Sequence, residues 1–268
     1  MKKFGLLGYP LTHSFSRKYF KAKFKREGIE DSFYIHYPLQ HLHELSFILL
    51  QNPELVGLNV TIPYKTDIIP YLDSLDPVAE EIGAVNTIQF IKKDPDLLPN
   101  YEDPSPIEWR KNLILRGFNT DIIGFEQSLT SFYERNDSAF PQRALILGTG
   151  GASKAVAYVL KKLGIPYRFV SRNSESQEVL NYSNLNTQNI KDYLLIVNTS
   201  PLGMFPNVSE KPDIPYDGLG KGHLLYDLVY NPEMTEFLRE GEQMGTFILN
   251  GLEMLSIQAD KAWEIWHH

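Results

Sequence analysis

The feature that most constrains this chain is a glycine-rich segment near its middle. Residues 143–154 read Arg-Ala-Leu-Ile-Leu-Gly-Thr-Gly-Gly-Ala-Ser-Lys, so an apolar stretch runs directly into glycines. Glycine lets the backbone turn tightly and approach a ligand without a Cβ in the way. The free N–H groups at the start of a following helix would bind a pyrophosphate. Many strand-to-helix turns use glycine for geometry alone, so the segment by itself is weak evidence for a dinucleotide site.

The residues after the glycines complete a βαβ pattern. Residues 152–163 carry apolar side chains with a helical period, Gly164 ends that helix, and a second apolar strand follows at 167–170. Ser153 stands where the dinucleotide pattern usually has Gly or Ala. We therefore predict a dinucleotide-binding unit whose loop residues are Gly148, Thr149, Gly150, Gly151 and Ala152.

The end of the second strand indicates which dinucleotide is bound. The chain there reads Ser171-Arg172-Asn173, without the acidic residue that would hydrogen-bond the ribose of NAD. Arg172 would bind a 2′-phosphate and can stack on the adenine, although a surface arginine in a loop is the ordinary alternative. We favour NADP over NAD, with Ser171, Arg172 and Asn173 around the phosphate.

The composition excludes several classes of function. The chain has 26 basic and 33 acidic residues, a formal net charge of −7, which argues against nucleic acid as a partner. It has no cysteine, so disulfides and thiolate metal sites are excluded, and we expect no bound metal. No apolar run approaches the ~20 residues of a membrane span, and the amino terminus has no long apolar signal core. We expect a cytoplasmic protein.

Strand and helix patterns alternate along the chain, which predicts an α/β fold with a largely parallel sheet in the amino-terminal half. The proline-rich, polar residues 92–111 interrupt the alternation, and we predict a surface excursion there. The predicted strands are 4–7, 32–37, 56–62, 84–91, 112–118, 194–198, 224–228 and 246–250. The predicted helices are one from Ser14 or Ser16, then 42–50, 77–82, 121–133 and 251–266.

Polar side chains collect at the ends of predicted strands, where open α/β sheets bind ligands. Ser14 and Ser16 precede a helix, where they can bind a carboxylate or simply cap the helix. Asn59 and Thr61 project to the same side of one strand, and Lys65 lies just past its end. These positions predict a site for an anionic small molecule.

Two further polar segments lie between this strand and the glycine loop. Asn86, in Gly-Ala-Val-Asn-Thr, places an amide at the start of a strand. Asp121, in Gly-Phe-Asn-Thr-Asp, begins a helix, where aspartate is also an ordinary N-cap.

Together these segments resemble the shikimate dehydrogenase family. The family's HSxS, NVTIPxK, GAVNT, G(Y/F)NTD, GxGGAS, NxTSxxGM and GxxMLxxQA signatures all have counterparts here, in the family's order. The last two are residues 198–204, Asn-Thr-Ser-Pro-Leu-Gly-Met, and residues 251–259, Gly-Leu-Glu-Met-Leu-Ser-Ile-Gln-Ala. Seven ordered motifs make a specific resemblance, although each is weak alone.

The resemblance implies an oxidoreductase that reduces 3-dehydroshikimate to shikimate with NADPH in aromatic amino-acid biosynthesis. It implies a substrate domain of residues 1–117 and 251–268, a Rossmann-like NADP-binding domain of residues 118–250, and a cleft between them. Lys65 matches the catalytic lysine, and Asp121 would orient it. The implied substrate-binding residues are Ser14, Ser16, Asn59, Thr61, Asn86, Tyr230 and Gln258. Beside the glycine loop and Arg172, the implied cofactor-binding residues are Thr199, Leu228 and Gly251.

The chemistry of that reaction suits these residue types. Hydride transfer to a carbonyl carbon leaves negative charge on the oxygen, so a positioned cation that donates a proton lowers the barrier. Lys65 can be that general acid, and the general base in the reverse direction. The dinucleotide supplies the hydride chemistry itself.

The sequence also departs from the family pattern. Arg17 follows the second serine where the family usually has Pro, and no second basic residue follows Arg172 within Ser174-Glu-Ser-Gln177. Three alternatives stay open: a quinate/shikimate dehydrogenase of broader specificity that uses NAD, a catalytically silent relative that only binds the ligand, and a generic dinucleotide-binding protein. The sequence allows either a monomer or a homodimer.

Overall fold

A computed structural model describes residues 1–11, 14–94, 111–172 and 179–268. The chain divides into two compact units. Unit 1 consists of Met1–Thr120 with Ala259–His268, and unit 2 of Asp121–Gln258. Each unit contains its own β-sheet with helices packed on it, which confirms the predicted α/β class. None of the helices in these described ranges is long and apolar enough to cross a membrane.

Unit 1 follows the predicted alternation, with changes at the element ends. Its strands are β1 (Lys2–Gly8), β2 (Ser32–Pro38), β3 (Leu55–Val60), β4 (Ser74–Leu75), β5 (Thr87–Lys92) and β6 (Leu113–Phe118). Its helices are α1 (Ser16–Glu27), α2 (Leu45–Gln51) and α3 (Pro77–Ile82). The single helix predicted over 42–50 is instead a 3₁₀ turn, Leu42–Glu44, followed by α2. The predicted excursion over 92–111 lies largely outside the described residues.

The sheet of unit 1 is mixed rather than largely parallel. Among the described residues its strand order is β2-β1-β3-β5-β6-β4, and β5 runs antiparallel to both of its neighbours. This reversal pairs Thr87, at the start of β5, with Asn59 near the end of β3 and with Phe118 at the end of β6. The polar segments around these three residues therefore meet at one edge of the sheet.

Unit 2 contains the predicted βαβ unit and an all-parallel sheet. Its strands are β7 (Ala144–Leu147), β8 (Tyr167–Ser171), β9 (Val179–Asn181), β10 (Leu195–Asn198), β11 (Leu224–Asp227) and β12 (Phe247–Leu249). Their order among the described residues is β12-β11-β10-β7-β8-β9. The helices are α4 (Asp121–Arg135), α5 (Gly151–Lys162), α6 (Glu236–Gln243) and α7 (Leu252–Ile265). The sequence did not predict β9 and α6 in this unit, or β4 in unit 1.

Helix α6 is stabilised by a capped N-terminus and by the burial of its apolar face. The Thr235 hydroxyl accepts a hydrogen bond from the Leu238 amide and so caps the helix. Phe237 and Leu238 are buried on the sheet. The apolar pattern of this short helix was too brief to identify it from the sequence.

The last helix contributes to the cores of both units. Met254, in its first half, packs in the apolar core of unit 2. Ala262 and Trp266 pack in a core of unit 1, and the Trp266 Nε1–H donates to the Ile88 carbonyl at 3.0 Å. The unit boundary therefore falls after Gln258, inside the helix, whereas the sequence predicts it at 250/251. The other boundary falls after Thr120, against a predicted 117/118.

Candidate functional site

The mixed edge of the unit 1 sheet carries a buried polar network centred on Asn59. The Asn59 side chain is buried, and its Oδ1 accepts a hydrogen bond from the Tyr34 hydroxyl at 2.7 Å. Its Nδ2 donates to Thr87 Oγ1 at 3.1 Å and to the Asn86 carbonyl at 3.4 Å. The carboxamide is thus committed to the protein, which suits a residue that supports a ligand-binding residue.

Asn86 is held in one orientation by its neighbours. Its Oδ1 accepts from the Thr120 amide at 2.7 Å and from Thr87 Oγ1 at 3.1 Å. Its Nδ2 donates to Thr120 Oγ1 at 3.0 Å. Because a buried amide without partners would cost free energy, this arrangement fixes which end of Asn86 faces each neighbour.

Thr61 and Lys65 are tied to the same edge through the backbone. The Thr61 amide donates to the Leu7 carbonyl at 2.9 Å, which continues the pairing of β3 with β1. The Lys65 carbonyl accepts from the Val85 amide at 2.7 Å, in the segment that leads to Asn86. Both side chains are half-buried. The lysine backbone is therefore anchored beside the network while its side chain retains access to solvent.

Ser14 and Ser16 lie at the start of α1. Ser16 is the first residue of the helix and is buried, and its amide donates to Ser14 Oγ at 3.4 Å. Phe15 occupies the N-cap position and provides no side-chain cap. Arg17 lies close enough to β2 for its charge to act on His36, whose pKa is lowered mainly by burial and further by Arg17. The departure at Arg17 thus places a cation at this end of α1.

Three predicted substrate-side residues belong to unit 2. Asp121 is the first residue of α4 and is buried. Gln258 is buried on α7, where its Nε2 donates to the Leu255 carbonyl at 2.9 Å. The two helices pack closely at Gly124, where an added Cβ would lie only 2.6 Å from the Met254 carbonyl oxygen. Tyr230 is half-buried after β11.

The glycine loop of unit 2 has the geometry that the sequence predicts for a dinucleotide turn. Gly148 has φ +113°, a conformation that favours glycine, and its amide donates to the Val170 carbonyl at 2.8 Å. A Cβ there would lie 2.8 Å from Thr199 Oγ1, which itself donates to the Leu147 carbonyl at 2.8 Å. Thr199 therefore lies against the loop only because residue 148 is glycine.

The unusual Ser153 stabilises this loop. Ser153 is fully buried, and its hydroxyl donates to the Gly150 carbonyl at 2.6 Å. Gly150 is the N-cap of α5 and is exposed, and a Cβ added there would meet no protein atom within 4 Å. The residues from Gly148 to Ala152 therefore present backbone at a helix start with open space in front of it, which fits a pyrophosphate.

We predict that Gly150→Ala leaves the fold intact and weakens the binding of NADP⁺. Alanine fits the backbone at φ −80° and meets no protein atom, so thermal unfolding should not change. The new methyl group would occupy the space of the pyrophosphate, so the dissociation constant should rise about tenfold or more. Titration calorimetry with NADP⁺ measures this. Gly220→Ala, which also meets no protein atom, is the control, and unchanged affinity in Gly150→Ala would contradict the assignment of the loop.

Arg172 lies at the carboxyl end of β8, as the pattern requires. Its side chain is exposed, and its carbonyl accepts from Asn181 Nδ2 at 2.9 Å. Ser171, the last residue of β8, pairs with Asn181 of β9. The exposed Arg172 side chain is therefore accessible to a 2′-phosphate. Asn173 lies outside the described residues.

Leu228 and Gly251 meet at the carboxyl end of β11. The Leu228 amide donates to the Asn198 carbonyl at 3.0 Å, and the Gly251 amide donates to the Val229 carbonyl at 3.2 Å. A Cβ on Gly251 would lie 2.7 Å from the carbonyl carbon of Leu228 and closer still to its oxygen. Only glycine permits this approach of the two predicted cofactor-side segments.

Asp227, beside Leu228, is a fully buried acid that the sequence analysis did not identify. Its Oδ1 accepts from Asn198 Nδ2 at 2.9 Å and from the Val229 amide at 3.0 Å, and its Oδ2 accepts from Thr235 Oγ1 at 2.6 Å. Burial raises the pKa of Asp227 from the ordinary 3.8 to about 7, against the lowering effect of these hydrogen bonds.

This raised pKa predicts a pH-dependent stability. Between pH ~4 and ~7 the folded state keeps the Asp227 proton and the unfolded state releases it, so stability falls as the pH rises through this window. The loss attributable to this group is roughly 4 kcal/mol at most. Chemical denaturation of the parent and of Asp227→Asn at several pH values measures it. The free energy difference between the two proteins should change steadily across the window, and a constant difference would contradict the raised pKa.

Besides Asp227 in unit 2, three residues of the polar edge of unit 1 were not identified from the sequence. Thr87 and Thr120 join the network of Asn86 and stand inside the motifs already identified, so their spacing could have indicated them. Tyr34 is an aromatic residue in an ordinary strand pattern, and no local signal marks it as the partner of Asn59.

Three features define the class of protein: the βαβ unit, the glycine loop at the open N-terminus of α5, and the polar edge of the first sheet. They are typical of a dinucleotide-binding α/β protein with a separate ligand-binding unit. Comparison with known proteins gives the family. The family model described as the shikimate dehydrogenase substrate binding domain matches residues 6–88. Relatives named shikimate dehydrogenase are 33–36% identical to this sequence over nearly its whole length, so the chain belongs to the shikimate dehydrogenase family.

Relatives match nearly the whole chain. A protein named shikimate dehydrogenase (NADP⁺) from Nostoc sp. is 36% identical over 284 residues, which cover 99% of this chain and 90% of the relative. One of the same name from Staphylococcus aureus is 34% identical and covers 98% and 92%. The solved shikimate 5-dehydrogenase of Thermus thermophilus, in complex with NADP(H) and shikimate, superposes with a TM-score of 0.78 at 28% identity and covers 99% and 93%.

Proposed function

We propose that this chain reduces 3-dehydroshikimate to shikimate with NADPH, a step in aromatic amino-acid biosynthesis. The observation that carries the proposal is the match of nearly the whole chain to relatives named NADP-dependent shikimate dehydrogenases, at 33–36% identity. The polar edge of unit 1 and the glycine loop of unit 2 supply the two kinds of binding residues that the reaction requires. The silent-relative alternative is less suitable because a mere binder needs no proton donor at Lys65.

The substrate contacts are assigned to the polar edge of unit 1 and to residues of unit 2. Ser14 and Ser16, at the start of α1, are assigned to the carboxylate, because helix N-termini bind anions. Asn86 and Thr61 would hydrogen-bond ring hydroxyls, and Asn59 would hold Asn86 and Thr87 in place. We also assign Tyr230 and Gln258 to the substrate.

Lys65 is assigned as the general acid in reduction. NADPH, when bound, supplies a hydride to the carbonyl carbon, and the carbonyl oxygen must then gain a proton. The Lys65 ammonium would donate that proton from Nζ and would stabilise the charge that develops on the oxygen. In the reverse direction the neutral amine would accept the hydroxyl proton. We assign Asp121 the role of orienting Lys65.

The cofactor is assigned to the carboxyl edge of the unit 2 sheet. Residues Gly148 to Ala152 would bind the pyrophosphate, and Ser171, Arg172 and Asn173 the 2′-phosphate. Thr199 and Leu228 would line the cofactor, with Gly251 beside the nicotinamide. Arg172 supplies a cation where an NAD enzyme would have an acid, which supports NADP.

The decisive experiment measures oxidation of shikimate by the purified protein, with NADP⁺ and NAD⁺ supplied separately. We expect reduction of NADP⁺ with shikimate and little reduction of either cofactor with quinate. Activity on quinate with NAD⁺ would instead support the enzyme of broader specificity. A folded protein that binds NADPH and oxidises neither compound would support the silent relative.

We also propose a cytoplasmic location, where the NADPH-dependent biosynthetic step would take place. The oligomeric state is a separate question, and sedimentation would distinguish a monomer from a homodimer.

A further inference from the structure

A buried hydrogen-bonded chain links the two segments that follow β10 and β11 in unit 2. Asn198 and Asp227 are the last residues of these adjacent parallel strands, and they pair directly in the register. Asn198, Asp227 and Thr235 are all fully buried. The residues that come next, Thr199 and Leu228, are the ones that the proposed function places along the cofactor.

Asn198 connects Asp227 to the first of these segments. Its Nδ2 donates to Asp227 Oδ1 at 2.9 Å, and its Oδ1 accepts from the Ser200 amide at 3.0 Å and from the Ser200 hydroxyl at 2.7 Å. The orientation of the Asn198 amide therefore depends on Asp227, and the turn after Thr199 depends on Asn198.

Asp227 holds the second segment directly. The same Oδ1 accepts from the Val229 amide at 3.0 Å, immediately after Leu228, whose carbonyl lies against Gly251. The other oxygen, Oδ2, accepts from Thr235, the cap of α6. One carboxyl group thus fixes both segments at the sheet edge and anchors them to the start of a helix.

We propose that Asp227 is a positioning residue for the cofactor: it acts through Asn198 and Val229 to hold the segments that carry Thr199 and Leu228 in the geometry that binds NADPH. This inference rests on the proposed function, because that function assigns these segments to the cofactor. It predicts a larger effect on NADPH than on shikimate, since of the assigned substrate residues only Tyr230 adjoins a segment that Asp227 holds. An acid so deeply buried needs a role that outweighs its desolvation cost.

The test measures the NADPH dissociation constant by calorimetry and the KM for shikimate in the same variants. Asp227→Ala should raise the NADPH dissociation constant about tenfold, because both segments lose their common acceptor. The KM for shikimate should stay within about twofold of the parent value. Asp227→Asn should restore most of the affinity, since an amide Oδ1 still accepts from Asn198 and Val229 and its Nδ2 can donate to Thr235. Asp217→Ala, an exposed acid of the same unit, is the control.

A double-mutant cycle with Asn198→Ala shows whether Asp227 acts through Asn198. Each single variant should weaken NADPH binding about tenfold, and the double variant should be little weaker than either, rather than about a hundredfold weaker. Three results would each overturn the proposal. The double variant could bind NADPH about a hundredfold more weakly than the parent, or Asp227→Ala could bind NADPH as tightly as the parent. The KM for shikimate could also rise by the same factor as the NADPH dissociation constant. If Asp227→Ala does not fold, about tenfold weaker NADPH binding in Asn198→Ala with a nearly unchanged KM for shikimate supports the proposal, and unchanged NADPH affinity in Asn198→Ala overturns it.

The parent protein separates this inference from the proposed function. If the parent binds no NADPH, the proposed function fails. If it binds NADPH without oxidising shikimate, the proposed activity fails, and the dissociation constants of the variants still decide the role of Asp227.

Discussion

Lys65→Ala should lower turnover of shikimate by roughly 10²–10⁴-fold, the usual contribution of a positioned general acid or base. The KM for shikimate should change little, because the carboxylate and ring hydroxyls keep their assigned partners on other residues. The expected pattern follows from a group that acts on the proton in the transition state rather than on ground-state binding. Steady-state kinetics with NADP⁺ in excess measure both parameters.

The loss should be specific to that lysine. Lys21→Ala removes an exposed lysine of α1 in the same unit and should retain parent turnover. The Val85 amide donates to the Lys65 backbone carbonyl, and the alanine variant keeps that carbonyl, so it should fold and unfold like the parent. Near-parent turnover in Lys65→Ala would show that another group transfers the proton. A large rise in KM with unchanged turnover would make Lys65 a binding residue instead.

Gly251→Ala should be far more disruptive than Gly150→Ala or Gly220→Ala. Its Cβ would lie 2.7 Å from the carbonyl carbon of Leu228, and backbone atoms cannot move aside as a side chain can. Forcing these segments apart should lower the free energy of unfolding by about 3 kcal/mol. The same displacement would move Leu228 and weaken NADPH binding. Thermal unfolding should show a melting temperature lower by roughly 5–10 °C.

The contrast with other glycines makes this prediction specific. Gly220→Ala places a methyl group where no protein atom lies within 4 Å and should leave both stability and binding unchanged. Gly150→Ala should weaken binding without loss of stability, whereas Gly251→Ala should reduce both. A Gly251→Ala protein as stable as the parent would mean that the close approach of Leu228 and Gly251 is not required.

Local patterns in the sequence were sufficient to predict most elements of the fold. The βαβ unit follows from an apolar strand, glycines and a helical period, all within about thirty residues, and α5 and β8 confirm it. Helix α6 was missed because its apolar face is short, with only Phe237 and Leu238 buried as large apolar residues. The direction of β5 was missed because a strand pattern has the same alternation whichever way the strand runs.

The residues of the candidate site likewise fall into those that the sequence could identify and those that it could not. The residue types at Ser14, Lys65, Asn86 and Asp121 could be identified as chemically suited to a ligand because each stands in a motif at the end of an element. Tyr34 and Asp227 could not, because each lies in an ordinary strand and has partners that are distant in sequence or one strand away. Their importance depends on strand order and register, which no short segment encodes by itself.

The sequence alone determined the α/β class, the glycine loop, the cation at Arg172 and the candidate proton donor at Lys65, because each depends on a residue type and its near neighbours. Only the tertiary structure decided what holds these groups. The antiparallel β5 brings Asn86 to Asn59, and Asp227 joins the ends of β10 and β11. Hydrogen bonds between strands that are distant along the chain exist only once the sheet is ordered, and these bonds determine the geometry of the site.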